Sequence, residues 1–203
     1  MAGPRRIGVM GGTFDPIHHG HLVAAAEVQS VFGLEQVVFV PTGRPWQKDD
    51  RRVSPAEQRY LMTVVATASN PDFTVSRVDV DRDGPTYTID TLRDLRDEHP
   101  DTEPALHHRC RRDGPDPVVE GRRRACSTSR ASWGSPGPAT SLSLQGLPPE
   151  RVSLLEIPAL SISSTDCRER VRAGQPVWYL VPDGVVQYIA KYGLYRTGEP
   201  ADR

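Results

Sequence analysis

Short apolar runs alternate with longer amphipathic ones along most of this chain, and that alternation limits its fold more than any other feature. "RRIGVMGG" is an apolar run closed by paired glycines, the pattern of a buried strand meeting a tight turn. "HLVAAAEVQSVFG" follows with apolar residues at helical spacing and Gly33 placed as a left-handed C-cap. "QVVFVPTG" reads as a second buried strand. "SPAEQRYLMTVVATA" reads as a helix with Ser54 as N-cap, Pro55 at N1 and Glu57 as the capping-box acid. "FTVSRVDVDR" alternates as a strand does, and "TIDTLRDLRDEHP" is helical up to Pro100. Further on, "RVSLLEIPAL" reads as a strand, "STDCRERVRAG" as a short helix, and "DGVVQYIAKYG" as a last helix capped by Asp183 and Gly193. Strands joined by helices long enough for right-handed crossovers predict an α/β fold: a Rossmann-like open parallel sheet with helices on both faces. Such sheets bind ligands at the carboxyl ends of their strands, where strand order reverses.

The chain's 203 residues are enough for one domain with a core, so residues 1–203 are read as a single domain interrupted by an atypical segment, 104–141. A net charge of −1 gives no case for nucleic-acid or membrane binding. Cys110, Cys126 and Cys167 stand at no redox or metal-ligand spacing, and an odd, sparse count fits a reducing cytoplasm. The N-terminus lacks the apolar stretch of a secretory signal, and no run has the length of a membrane span. Oligomeric state is not fixed by the sequence, and a homo-oligomer is left open.

Two stretches carry the chemistry. In "GGTFDPIHHGH", Gly11 and Gly12 let the backbone approach a ligand, and the turn runs into a helix N-terminus that favours anions. His18 and His21, three apart, share a helix face, with His19 pointing elsewhere. On spacing alone, helix-capping histidines after a glycine turn remain an alternative; a zinc site lacks a third ligand. In "ISSTDCRER", Ser163, Ser164 and Thr165 open a helix and Arg168 lies one turn in, a second anion site or an ordinary cap with a solvated arginine. Lys48 in "PTGRPWQK" is placed to reach phosphates, or is an exposed loop lysine. Thr88 in "PTYTIDTL" is placed as a helix N-cap. Two anion cradles at opposite ends of one sheet suit a triphosphate lying across its carboxyl edge.

"GGTFDPIHHGH", with its H-x-G-H core at residues 18–21, and "ISSTDCR" resemble the signatures of the nucleotidyltransferase superfamily. "RPWQK" and "PTYTIDTL" narrow the resemblance to the bacterial nicotinate mononucleotide adenylyltransferases. It covers residues 5–100 and 152–195 and implies that ATP donates its adenylyl group to nicotinate mononucleotide in NAD biosynthesis. It further implies ATP contacts from Gly11, Gly12, Thr13, Phe14, His18, His21, Ser163, Ser164, Thr165 and Arg168. By the same resemblance His18, His21, Lys48 and Arg168 act on the reacting phosphates, and Thr13, Lys48 and Thr88 hold nicotinate mononucleotide. Mg2+ is implied as a companion of ATP, bound through phosphate oxygens and water rather than by protein ligands. A relative using phosphopantetheine or a cytidylyl donor is the alternative enzyme, and a nucleotide-binding remnant without turnover the alternative of another class.

The resemblance fails between residues 104 and 151. Members carry there an apolar strand ending in G-x-D, a helix with an early tryptophan, and a second strand ending in R-P-G. This chain instead has "PALHHRCRRDGPDPVVEGRRRACSTSRASWGSPGPAT", with no Ile, Phe, Tyr, Met or Lys. Its Arg, Pro, Gly, Ala and Ser are what GC-rich codons yield out of frame. Read from the second base of the Pro104 codon, an allowed translation is L-H-F-I-T-G-A-D-A-M-A-R-I-L-S-W-K. From the third base of the Cys126 codon, an allowed translation is F-D-L-A-R-I-V-G-V-S-R-P-G-Y. Both supply the absent elements in order. Residues 104–141 are therefore read as out-of-frame translation bounded by small indels, with irregular structure expected. A solvated basic insert is the alternative that composition allows, and an RNA site on Arg122, Arg123 and Arg124 lacks interleaved aromatics. A zinc site from His107, His108, Cys110 and Cys126 has poor spacing.

Overall fold

The computed structural model describes residues 5–44, 53–84, 86–109, 131–135, 152–154 and 160–196. The strands among them are β1 (Arg5–Gly12), β2 (Gln36–Pro41), β3 (Phe73–Val75), β4 (Thr102–Arg109), β5 (Ala131–Ser135) and β6 (Val152–Leu154). The helices are α1 (His19–Phe32), α2 (Ala56–Thr67), α3 (Thr88–Glu98), α4 (Ser164–Arg172) and α5 (Asp183–Tyr192). All strand pairs are parallel, in the order β3-β2-β1-β4-β5-β6. The chain works outward from β1 to β3, then crosses back to place β4 on the other side of β1. The strand order thus reverses between β1 and β4, which puts the turn after β1 at the ligand-binding position of an open α/β sheet.

The two-residue period of the strands divides the core between the two sheet faces. Ile7 and Val9 of β1 and Val38 and Val40 of β2 pack with Leu92 and Leu95 of α3. Their neighbours Met10, Val37 and Phe39 face the opposite way and pack with Ala24, Ala25 and Val28 of α1, Met62 and Ala66 of α2, Cys167 of α4, and Val185 and Ile189 of α5. Both faces of β1 and β2 are therefore covered, as their apolar runs require. Gly33 and Gly193 close α1 and α5 in the left-handed conformation, as expected.

Several local expectations are corrected. Ser54 does not cap α2; Pro55 holds the N-cap position, and Ser54 is drawn instead to the turn after β1, its N–H donating to Asp15 Oδ2. Thr88 is the first residue of α3, with Tyr87 at the N-cap, and Asp183 is likewise the first residue of α5, with Pro182 at the N-cap. Strand β3 has only three residues; after Ser76 donates to the Phe39 carbonyl, the Val78 N–H turns to Ser76 Oγ and ends the ladder. The irregular structure expected over 104–141 does not hold at either of its described parts. Residues 104–109 run in β4 and residues 131–135 form β5, both interior to the sheet. The rest of that segment lies outside the described residues.

Candidate active site

The turn after β1 is compact for reasons visible in its residues. A Cβ on Gly12 would stand 2.8 Å from the Phe14 ring, and Phe14 itself takes a left-handed φ of 49°. Nothing lies within 4 Å of a Cβ built on Gly11, so that side of the turn is open. The buried Phe14 ring meets His21 edge-on, with centroids 5.1 Å apart. His21 stacks on the buried His18 at 3.7 Å, and a Cβ on Gly20 would come within 3.0 Å of His18 Nδ1. The glycine between the histidines is what lets the two rings lie together.

His18 occupies the N-cap of α1, and its N–H donates to Nδ1 of His21 at 3.2 Å. An imidazole nitrogen that accepts carries no proton, so neutral His21 holds its proton on Nε2, as a donor. The leading amides of α1 serve the ligand less than the sequence suggests. The His19 N–H is taken by the Leu180 carbonyl at 3.0 Å, and that of His21 by the His18 carbonyl at 2.9 Å. With these two N–H groups engaged, the imidazoles take on more of the anion chemistry at this helix start.

The second cradle docks directly onto the first. Ser164 Oγ donates to the Pro16 carbonyl at 2.9 Å, and Arg168 Nη1 donates to the Asp15 carbonyl at 2.6 Å. The other arm of Arg168 donates to Thr165 Oγ1 at 3.2 Å. Ser163 is the N-cap of α4, its hydroxyl accepting from the Asp166 N–H at 3.0 Å. Thus Ser163 caps α4 and Ser164 ties it to the first turn, while Thr165 is exposed and Arg168 reaches from α4 to that turn. Thr88 takes no part in these contacts. Its neighbour Thr86 pairs with Arg44, accepting the Arg44 N–H on Oγ1 and donating its own N–H to the Arg44 carbonyl, each at 3.3 Å. Lys48 lies outside the described residues.

Three further residues support the site, and the sequence reading missed them. Asp15, 4% exposed, accepts Ser54 N–H on Oδ2 and the Tyr195 hydroxyl on Oδ1 at 2.7 Å. Burial, and then the Asp15 charge, push the Tyr195 phenol up, so it stays protonated as a donor. Arg59 lies at the root of α2, 1% exposed. A signal for it was present: the buried face of α2 is Arg59, Met62, Thr63, Ala66 and Thr67, an arginine within the apolar stripe. Cys167, beside Arg168, is buried, and burial pushes its thiol up to about 11, which suits a packing residue and not a nucleophile. Among the described residues, no three His, Cys, Asp or Glu gather in a way that could hold a metal ion.

The cytidylyltransferase-like family matches residues 9–170. A probable nicotinate-nucleotide adenylyltransferase of Acidothermus cellulolyticus is 63% identical over 202 residues, covering 97% of this chain and 97% of its own. One from Saccharopolyspora erythraea is 64% identical over 197 residues, covering 97% of this chain and 92% of its own. Matches this complete mean that this chain and these relatives are of similar length. Among solved structures, a nicotinic acid mononucleotide adenylyltransferase of Plasmodium falciparum complexed with NaAD superimposes with a TM-score of 0.73 at 18% identity. That likeness covers 94% of this chain and 97% of that one, and concerns the fold.

Proposed function

The chain belongs to the cytidylyltransferase-like family, among the nicotinate-nucleotide adenylyltransferases, and from that premise we propose how its residues move the adenylyl group of ATP onto nicotinate mononucleotide. The products are nicotinate adenine dinucleotide and pyrophosphate, a step of NAD biosynthesis. The observation that carries the assignment of residues is the junction of the two cradles, where Arg168 reaches from α4 to the Asp15 carbonyl. It makes one anion-binding edge out of segments 153 positions apart, at the point where strand order reverses.

The triphosphate lies along Gly11–Phe14 and the start of α4. A phosphate oxygen of nicotinate mononucleotide attacks the α-phosphorus in line, the bond to the β-phosphate oxygen breaks, and pyrophosphate leaves with the electron pair. No side chain becomes covalently bound, so the protein contributes position and charge. His21 donates through Nε2, the stacked His18 shares that face, and both stabilise charge on the reacting phosphoryl oxygens. Arg168 and Lys48 neutralise phosphate oxygens, Thr165 adds a hydroxyl on the pyrophosphate side, and Thr13 and Thr88 serve the mononucleotide. Both oxygens of Asp15 are engaged by the protein, so the donor set suits a divalent cation that arrives on the phosphates. Mg2+, which prefers phosphate oxygens and water, would supply further charge neutralisation there.

No helix among the described residues is long and apolar enough to cross a membrane. A cytoplasmic place for the enzyme fits its cysteine usage. We take residues 1–203 as one domain in which 104–141 is translated out of frame, so the polypeptide with exactly this segment is the one reading in which turnover would be absent. Pyrophosphate release from ATP tests both points. Release with nicotinate mononucleotide well above that with the amidated mononucleotide or phosphopantetheine is expected once the segment is restored to frame. Preference for phosphopantetheine would overturn the substrate assignment.

A further inference from the structure

Three backbone carbonyls from three separate loops converge on one buried side chain. Arg59 Nε donates to Ser54 O, Nη1 to Thr13 O and Nη2 to Gly43 O, each at 2.8 Å. Thr13 lies in the turn after β1, Gly43 in the loop after β2, and Ser54 in the lead-in to α2. The same segments are cross-tied by Thr42 N–H to the Gly12 carbonyl at 2.9 Å and Ser54 N–H to Asp15 Oδ2 at 3.2 Å. Burial draws the Arg59 guanidinium below its ordinary range, an effect that Asp15 opposes, so holding it there costs solvation. What the fork returns is geometry: three acceptors fixed by one planar group.

Peptide planarity carries that geometry outward. In a trans peptide, a carbonyl turned one way sends the following N–H the other. The Gly43–Arg44 peptide does this visibly: its carbonyl faces Arg59 and its N–H donates to Thr86 Oγ1. The Thr13–Phe14 peptide has its carbonyl on the same guanidinium, so the Phe14 N–H leaves on the side away from Arg59. We propose that Arg59 is a positioning residue for adenylyl transfer, clamping the Thr13–Phe14 peptide so that the Phe14 amide is presented to the phosphates. It acts through the turn and need not touch substrate. The activity part of this proposal rests on the function proposed above; the clamp itself does not.

Arg59→Lys keeps a cation but loses the fork. In the frame-restored chain the substitution is expected to lower kcat about a hundredfold, with KM for nicotinate mononucleotide changed less than about threefold. Amide exchange at Thr42, Arg44 and Ser54 should quicken about tenfold while that of β1 and β2 holds. Wild-type turnover and exchange in Arg59→Lys would overturn the proposal. Should that variant not fold, Gly43→Ala displaces one acceptor and leaves Arg59 in place, since its Cβ would stand 1.9 Å from the Asp79 carbonyl oxygen. The clamp then transmits the change, quickening exchange at Ser54 and slowing turnover. Exchange altered only at residues 42–44, with turnover intact, would refute it. If the unsubstituted protein turns over no acceptor, the proposed function fails, and exchange at Ser54 still decides the role of Arg59.

Discussion

His21 and His18 show how far a motif can be read by eye. Their three-residue spacing put both on one face, and the structure stacks them 3.7 Å apart. What spacing could not supply is the direction of the proton, which depends on the His18 N–H reaching His21 Nδ1. Nitrogen-15 chemical shifts of the neutral ring should therefore show Nε2 protonated and Nδ1 bare; the reverse tautomer would remove His21 Nε2 as a donor. Replacing His21 by Ala should lower kcat about a hundred- to a thousandfold, the usual loss for one preorganised donor to a developing oxyanion. Asp15 and Tyr195 stayed hidden because they are partners 180 positions apart in the chain, whereas Arg59 was marked by its place in the apolar stripe of α2. Tyr195→Phe leaves a buried carboxylate oxygen without that donor and should cost about 1–3 kcal/mol in a denaturant titration.

At the scale of elements, caps tell two stories. Ser163 was recognisable as a cap, and its hydroxyl does accept from the Asp166 N–H, so Ser163→Ala should cost about 1 kcal/mol of stability. Ser54 carried an equally good capping pattern, but its backbone N–H and carbonyl are tied to Asp15 Oδ2 and Arg59 Nε, and the residue sits one place before the Pro55 N-cap. Asp79, at the end of the segment that failed to continue β3, offers a pH test. Burial raises its carboxyl to about 6, against the Thr91 hydroxyl bond and the Arg82 charge, while Asp94 and Asp90 add to the rise. The unfolded carboxyl loses its proton near the ordinary 3.8, so the folded state binds the proton more tightly between these values. Stability from this group is thus full below about pH 4, falls as pH rises to about 6, and is level above, a change of at most about 3 kcal/mol. Asp79→Asn keeps an acceptor for Thr91 and should flatten that slope. A variant whose stability profile overlays the parent's between those limits would show that the slope arises elsewhere.

For the whole molecule, the sheet gives the out-of-frame reading a place to stand. The layout of β1, β2, α1 and α3 was legible because their apolar periods agree with their burial. The stretch between β4 and β6 was not, because its letters follow no period at all. Yet β4 continues through residues 104–109, where the shifted reading is L-H-F-I-T-G, and β5 spans residues 131–135, where it is I-V-G-V-S. Both strands sit inside a parallel sheet, a position that calls for near-continuous apolar runs, and "PALHHR" and "ASWGS" are poor ones. The relatives match over nearly their whole length, which fits a segment standing in place of these strands' own sequence. Protein isolated from its native source should accordingly yield peptides of the shifted reading across 104–141, and an intact mass to match. Recombinant chain carrying the printed segment should unfold at lower denaturant and release no pyrophosphate, while the frame-restored chain regains both stability and turnover. Native peptides spanning "HHRCRRDGPDP" would sink this account. The strands at 104–109 and 131–135 would then be genuine polar strands in a sheet interior.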